Sequence, residues 1–248
     1  AGCDSLIFIT NRTKHTISDH FDSAYELEDR LQRAGKQALL DKLRGTLTGA
    51  VNRLYIPQDS PQGLGHAVAM ASTAVGERFF AVLLADDLIL PEIDSDGCLA
   101  QMLAVHRRTG ASVIAVQQVP REQIDRYGVV AVDDFSDNCG KIRSIVEKPS
   151  ADEAPSDLGV VGRYILAPEI FALIEQVKPD RRGEIQLTDA IAMLLQQQPV
   201  YAFKFAGTRH DCGHHEGFVH ATLDVAMRNP ALRDSLLPLM RQLLAQSD

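Results

Sequence analysis

Two periodicities alternate along this chain. Short runs of consecutive apolar residues recur at 6–10 (LIFIT), 80–84 (FAVLL) and 112–116 (SVIAV). Unbroken apolar runs of this length predict strands covered on both faces of a mostly parallel sheet, because a half-exposed strand would alternate with polar residues. Between them, apolar positions three and four apart predict amphipathic helices over 17–31, 66–75 and 98–109. Strand, helix, strand at this spacing implies βαβ crossovers, hence an α/β fold with an open sheet and helices on both sides.

The pattern changes after residue 120. Segments 129–132, 142–147 and 160–166 read as strands with few helices between them, separated by turn-rich stretches at 136–140 and 150–156. They predict an antiparallel or mixed extension packed against the parallel sheet. Helices at 168–176 and 188–196, a strand at 200–205 and a leucine-rich helix pair from 218 on, broken at Asn229-Pro230, follow. No repeat, low-complexity tract or linker intervenes, so residues 1–248 read as one continuous domain.

Composition narrows the function classes. A chain of 248 residues, 45% of them hydrophobic, buries a core without a disulfide or metal staple. Its four cysteines, Cys3, Cys98, Cys139 and Cys212, are scattered and form no CxxC pair, which predicts reduced thiols in a cytoplasm. No apolar run reaches the ~18 residues of a membrane helix. Lys and Arg total 25 against 33 Asp and Glu, a net charge of −8 with no basic run, which argues against nucleic acid or an anionic membrane as partner. A local group of basic side chains and backbone amides can still hold a phosphate.

Five segments carry candidate chemistry. In QGLGHAV, Gly63 and Gly65 stand at a loop-to-helix junction, where they either admit a flat ring or phosphate close to the backbone or simply make a tight turn. Asp86 and Asp87 follow an apolar strand at its carboxyl end, where open α/β sheets bind ligands. Neighbouring side chains on extended backbone point oppositely, so one of the two faces the ligand. A carboxylate there suits Mg²⁺, and also suits a plain strand-ending turn. Near YGVV (127–130), Glu147-Lys148-Pro149 offers an acceptor for hydroxyls and a cation for phosphate, or an ordinary surface ion pair. In GEIQLTDAI (183–191), Thr188 reads as a helix N-cap, and Glu184 is left to face a ligand or solvent. In TRHDCGHHEGFVH (208–220), His210, Cys212, His214 and His215 suggest zinc, without the split ligand pairs of structural zinc sites. The same stretch offers Asp211 as a magnesium ligand beside Gly213, or nothing more than a strand-to-helix junction.

In this order, ISDHFDSAYELE, QGLGHAV, YGVV, IVEKP with APSDLGVVGRYIL, GEIQLTDAI, and RHDCG with GFVHATLDVAMRNP resemble the bacterial UTP–glucose-1-phosphate uridylyltransferases, within the sugar-1-phosphate nucleotidyltransferases. HFDSAYELE and HDCG point to the uridylyl branch over the thymidylyl and adenylyl branches. The resemblance implies a Rossmann-like open mixed sheet of the nucleotide-diphospho-sugar transferase type. It implies UTP and glucose 1-phosphate as substrates, UDP-glucose and pyrophosphate as products, Mg²⁺ as cofactor, and a cytoplasmic homodimer or homotetramer. Carried over by position, Gln58 and Gly63, with Gly65 beside them, contact uracil. Asp86 and Asp211 bind Mg²⁺, and Asp87 takes no role. Gly128, Glu147 and Gly162 line the glucose, Glu184 accepts from its hydroxyls, and Lys148 pairs with the sugar phosphate. Asp157 stands where the family has Asn. The family opens with a strand and a G-x-G-T-R-x-x-P-x-T-K loop that has no counterpart in residues 1–248, where Asn11-Arg12-Thr13-Lys14 follows what would be the second strand. The expectation is therefore a chain truncated at its N-terminus relative to the family, lacking that loop's Arg and Lys and exposing the centre of the sheet. The alternative is a UDP-sugar-binding or regulatory protein without catalysis.

Overall fold

The computed structural model describes residues 2–11, 15–22, 24–45 and 51–246. The chain order is β1 (Ser5–Thr10), α1 (His15–Phe21), α2 (Tyr25–Arg33), α3 (Gln37–Arg44), β2 (Asn52–Pro57), α4 (Gly63–Ala69), α5 (Ser72–Val75), β3 (Phe80–Leu83), β4 (Asp87–Leu90), α6 (Cys98–Thr109) and β5 (Ser112–Gln118). A 3₁₀ turn at Arg121–Arg126 leads into β6 (Gly128–Ser136), β7 (Cys139–Glu147), β8 (Leu158–Leu166), α7 (Ile170–Ile174), α8 (Leu187–Leu194), β9 (Val200–Lys204), β10 (Thr208–Asp211), α9 (His215–Arg228) and α10 (Pro230–Leu244).

Six strands form the main sheet, in the order β3-β8-β5-β9-β7-β6, with β6 also pairing back to β8 at Val129 and Gly159. The expected parallel core is mixed. β5 and β9 run parallel, but β8 lies between β3 and β5 and pairs antiparallel with both. β1 and β2 form a separate parallel pair, and β4 and β10 a separate antiparallel ribbon.

The apolar runs behave differently according to these partners. Val113 to Val116 of β5 are fully buried in the middle of the six-stranded sheet. Even-numbered Ile114 and Val116 pack with Leu173 of α7 and Ile191 and Leu194 of α8 on one face. Odd-numbered Val113 and Ala115 pack with Met102 and Val105 of α6 on the other. Helices on both faces thus follow from one continuous apolar strand. In α6, Cys98, Met102 and Val105 are buried at spacings of four and three, and Gly110 ends the helix in the left-handed conformation at φ +67°. β1 reads the same in sequence, yet all six of its residues are only half-buried, because among the described residues β2 is its one hydrogen-bonded strand neighbour.

Two expected helices are each divided. Residues 17–31 become α1 and α2, with Ser23 outside the described residues; Asp22 accepts from the Tyr55 hydroxyl at 3.0 Å instead of continuing the helix. Residues 66–75 become α4 and α5, ending at Gly76 with φ +64°. The break at Asn229-Pro230 is as expected, with the Asn229 side chain accepting from the Ala231 and Leu232 amides and Pro230 in the first turn. Residues 12–14 of the Asn11–Lys14 segment lie outside the described residues. Among the described residues, no helix is long and apolar enough to cross a membrane.

Candidate active site

The acidic end of the site is built where β3 turns into β4. The chain leaves β3 at Leu83 and re-enters β4 at Asp87, so the two adjacent aspartates separate: Asp86 is exposed and Asp87 is 5% exposed. Of the pair expected to divide, Asp86 is the outward one. The β4–β10 register sets Asp211 opposite Asp87, and the Cys212 amide donates to the Asp86 carbonyl at 2.7 Å. This brings Asp86 and Asp211 close to Gly213. A Cβ on Gly213 would lie 3.0 Å from Asp211 Oδ1 and 3.4 Å from Asp86 Oδ2, so glycine lets both carboxylates approach its backbone, and its amide donates to Asp211 Oδ1 at 3.0 Å. Two neighbouring carboxylates that reach solvent suit a hard, oxygen-seeking cation such as Mg²⁺, which keeps several waters.

The zinc reading does not assemble. His210 Nε2 meets Asp224 Oδ2 at 2.9 Å, the Cys212 thiol turns to the His210 carbonyl at 3.8 Å, and His214 Nδ1 caps α9 by accepting from the Gly217 amide at 3.1 Å. Among the described residues, no three His, Cys, Asp or Glu side chains gather as metal ligands.

Asp87, for which sequence offered no role, is the hub of a buried network. Its Oδ2 accepts from the Gly162 amide at 2.6 Å, and its Oδ1 accepts from Arg209 Nε at 2.6 Å and pairs with Arg209 Nη2 at 2.5 Å. Gly162 is required here for packing, since a Cβ would fall 2.5 Å from Asp87 Oδ2 and 2.7 Å from Leu84 Cβ. Arg163 gathers the carbonyls of Leu84, Gly162 and Asp87. Burial pulls the Arg163 pKa down, with Asp87 the main opposing influence. At Arg209 burial also works against the charge, but Asp87 and then Tyr127 outweigh it and hold the pKa above the usual arginine value. Arg209 was legible in hindsight: two residues before Asp211 on one strand, it shares that face of the ribbon.

Tyr127 joins this acidic end to the second group. Its hydroxyl accepts from Arg209 Nη1 at 3.1 Å, the guanidinium lies 5.4 Å from its ring centroid, and its carbonyl accepts from the Lys148 amide at 3.0 Å. Lys148 Nζ is 3.4 Å from Glu147 Oε1. Glu147 Oε2 accepts from Thr188 Oγ1 at 2.7 Å and stands beside Gly128, its β6 partner. Thr188 is therefore not the cap of α8. Gln186 holds that position without a side-chain bond, and Thr188, the second residue of the helix, orients Glu147 instead. Burial raises the Tyr164 phenol, and the charges of Glu147 and Asp87 add to the shift.

The third group follows α8 backwards. Ile185 exchanges backbone bonds with the glycine loop, donating to the Gln62 carbonyl at 2.7 Å and accepting from the Gly65 amide at 2.9 Å. A Cβ on Gly63 would meet Glu184 Cβ at 2.9 Å, and one on Gly65 would meet the Ile185 carbonyl at 2.7 Å. Both glycines thus pack against the 184–185 segment too closely for a side chain, and Gly63 at φ +87° also makes the turn into α4. Glu184 Oε2 accepts from Gln186 Nε2 at 3.2 Å. Gln58, just past β2, meets His66 Nδ1 of α4 at 2.7 Å. Asp157 stands apart from Glu147, taking Gln118 Nε2 at 3.3 Å. The three groups are joined partly by contacts and partly by the chain: the 184–185 segment against the glycine loop continues into α8 and Thr188, Thr188 bonds Glu147, Lys148 ties Glu147 to the Tyr127 carbonyl, and Arg209 ties Tyr127 to Asp87.

This arrangement has known relatives. The nucleotidyl transferase family model matches residues 1–228. A UTP–glucose-1-phosphate uridylyltransferase of Bacillus subtilis is 41% identical over 248 residues, all of this chain and 84% of the relative. Its namesake from Pseudomonas aeruginosa is 41% identical over 222 residues, covering 90% of this chain and 79% of the relative. Among solved structures, a UTP-bound UGPase from Acinetobacter baumannii superposes with a TM-score of 0.88 at 36% identity, covering 98% of this chain and 84% of that one. A UDP-glucose pyrophosphorylase complexed with UDP-glucose gives 0.82 at 33% identity, covering 92% and 83%. The chain belongs to the nucleotidyl transferase family, in its UTP–glucose-1-phosphate uridylyltransferase branch.

Proposed function

We propose that this chain, acting as one nucleotidyltransferase domain, joins UTP and α-D-glucose 1-phosphate to give UDP-glucose and pyrophosphate, with Mg²⁺ held by Asp86 and Asp211. An oxygen of the sugar phosphate attacks the α-phosphorus of UTP, and the bond from that phosphorus to the β-phosphate oxygen breaks in line. The attacking oxygen is already anionic, so no base is needed, and positioning with charge neutralisation does the catalysis. When bound, Mg²⁺ would offset the repulsion between the phosphates that must approach.

The residues divide the substrates among them. Gln58, Gly63 and Gly65 receive the uracil, where the glycine loop lies against the 184–185 backbone. Glu147, held by Thr188, accepts from glucose hydroxyls beside Gly128 and Gly162, and Glu184 accepts from the same sugar. Lys148, half-exposed beside Glu147, meets the sugar phosphate. The UTP-bound and UDP-glucose-bound relatives favour the same pair of ligands for this chain. The single observation that carries the reading is the approach of the Asp86 and Asp211 carboxylates to one glycine, within 3.4 Å of where its Cβ would stand.

The test is pyrophosphate release from UTP and glucose 1-phosphate with Mg²⁺. Wild-type chain should release it, and Asp86→Asn should lower the rate about 100-fold or more at an unchanged melting temperature, the scale of one lost charge-stabilising group. Tight binding of UDP-glucose with no pyrophosphate released would favour the non-catalytic binding protein instead.

A further inference from the structure

Three carboxylates and two guanidiniums crowd the end of the β4–β10 ribbon; Arg163 is spent on the Leu84, Gly162 and Asp87 carbonyls, and Arg209 is unevenly shared between two carboxylates. Arg209 Nη2 lies 2.5 Å from Asp87 Oδ1 but 3.6 Å from Asp211 Oδ2. A charge-assisted N–H···O bond closes at about 2.7–2.9 Å, so a movement of less than about 1 Å would take Arg209 from one carboxylate to the other. What prevents that movement is visible. Asp87 takes Nε and Nη2 on one oxygen while the Gly162 amide fixes its other oxygen at 2.6 Å. Tyr127 takes Nη1 at 3.1 Å from another direction. The Arg209 and Asp87 side chains are only 10% and 7% exposed, whereas Asp211 is 39% exposed, its Oδ1 accepting from the Gly213 amide at 3.0 Å and its Oδ2 lying 4.0 Å from His214 Nε2.

We infer that Asp87 is a positioning residue: it restrains Arg209 so that Asp211 stays open to a divalent cation instead of being neutralised from within the protein. This rests on the reading of Asp86 and Asp211 as the cation-binding pair. Arg209 carries a permanent charge, so without Asp87 it would turn to the nearest remaining anion, Asp211. An internal cation on Asp211 and a bound metal exclude one another. The acidic residue with no direct role toward the ligand would thus decide whether its neighbour has one.

The inference makes a prediction of sign that simple structural support does not. Mn²⁺ alone serves as the probe, with free Mn²⁺ followed by electron paramagnetic resonance and folding checked by circular dichroism. Asp87→Asn keeps an acceptor for the Gly162 amide but releases Arg209, and should weaken Mn²⁺ binding about tenfold or more. The double variant Asp87→Asn, Arg209→Met removes both the restraint and the group restrained, and should bind Mn²⁺ as tightly as wild type within about twofold, or more tightly. A double variant as weak as the single one, or a single variant that binds like wild type, overturns the inference. If the single variant does not fold, the double variant alone decides, since exchanging a buried ion pair for neutral groups is often tolerated. Its binding at wild-type strength or better supports the inference, and weaker binding refutes it. Asp86→Asn is the control: wild type that binds no Mn²⁺, or binds it equally after that change, overturns the cation-pair reading itself and this inference with it.

Discussion

Lys148 sits at φ +44°, in the left-handed region, directly before Pro149. An L-residue there costs about 1–2 kcal/mol, and a following proline further restricts the residue before it. The Tyr127 carbonyl pins the Lys148 amide at 3.0 Å, which lets the surrounding strands hold the strained turn. Lys148→Gly should therefore melt no lower than wild type: the relief of strain offsets the roughly 0.5–1 kcal/mol that glycine loses in chain entropy. The same variant should lose most pyrophosphate release, with the deficit largest at low glucose 1-phosphate. A melting temperature several degrees below wild type would mean that the 3.4 Å contact to Glu147, and not a ligand, is what the lysine is for. At this scale the sequence singles out residues such as Asp86 and Lys148 because their charges stand at strand ends. It was not legible where a residue acts by holding another. Thr188 looked like a cap because its neighbours fit one, and Asp87 looked idle because its partner, Arg209, lies 122 residues away.

At the scale of elements, the ribbon of β4 and β10 is tied to α9 by one cluster. Asp224 of α9 meets His210 of β10 at 2.9 Å and Arg228 Nε at 2.8 Å, and Arg228 Nη1 reaches on to the Pro91 carbonyl at 2.5 Å. Arg228 first, and His210 next, hold the Asp224 carboxyl below its usual pKa. A depressed carboxyl pKa stabilises the fold above the unfolded value of about 3.9 and stops doing so as the pH falls through the lower folded value. Asp224→Asn should therefore cost about 1 kcal/mol near neutral pH, the scale of a partly exposed ion pair. In urea unfolding, its gap from wild type should close as the pH is taken below about 3.9. A gap that persists in acid would assign the loss to packing of α9. The elements themselves were largely legible, because a strand buried on both faces and a helix with one apolar stripe follow directly from burial. Their pairing was not. LIFIT and SVIAV have the same pattern, yet β1 is half-exposed and residues 112–116 of β5 are buried, since burial depends on which strands flank each one. Nor does local pattern reveal that β8 enters between β3 and β5 and makes the sheet mixed.

At the scale of the molecule, α10 poses a problem of support. None of its fifteen residues, Pro230–Leu244, is buried, although Leu232, Leu239 and Leu243 are 47%, 49% and 54% exposed along one face with Leu236 between them. Spacings of seven and four residues put these leucines in one stripe. An isolated helix of this length is marginal in water, and most helical stability comes from burying an apolar face. Phe218, at 61% exposure on α9, adds apolar surface near by in the same helix pair. A second copy of the chain, pairing α10 against α10 about a two-fold axis, would cover the stripe on both copies at once, as closed dimers do. Such pairing would give a physical ground for the homodimer, or the tetramer built from it, that the resemblance implies. Sedimentation at micromolar concentration should then give a dimer or larger species. Leu239→Glu with Leu243→Glu should give a monomer, because each buried leucine contributes about 1.5–3 kcal/mol and the symmetry doubles the loss. The monomer should also show lower helix content by circular dichroism, as α10 frays without its partner. Wild-type chain that sediments as a monomer with full helix content would overturn the dimer and leave α10 stable on its own capping by Asn229.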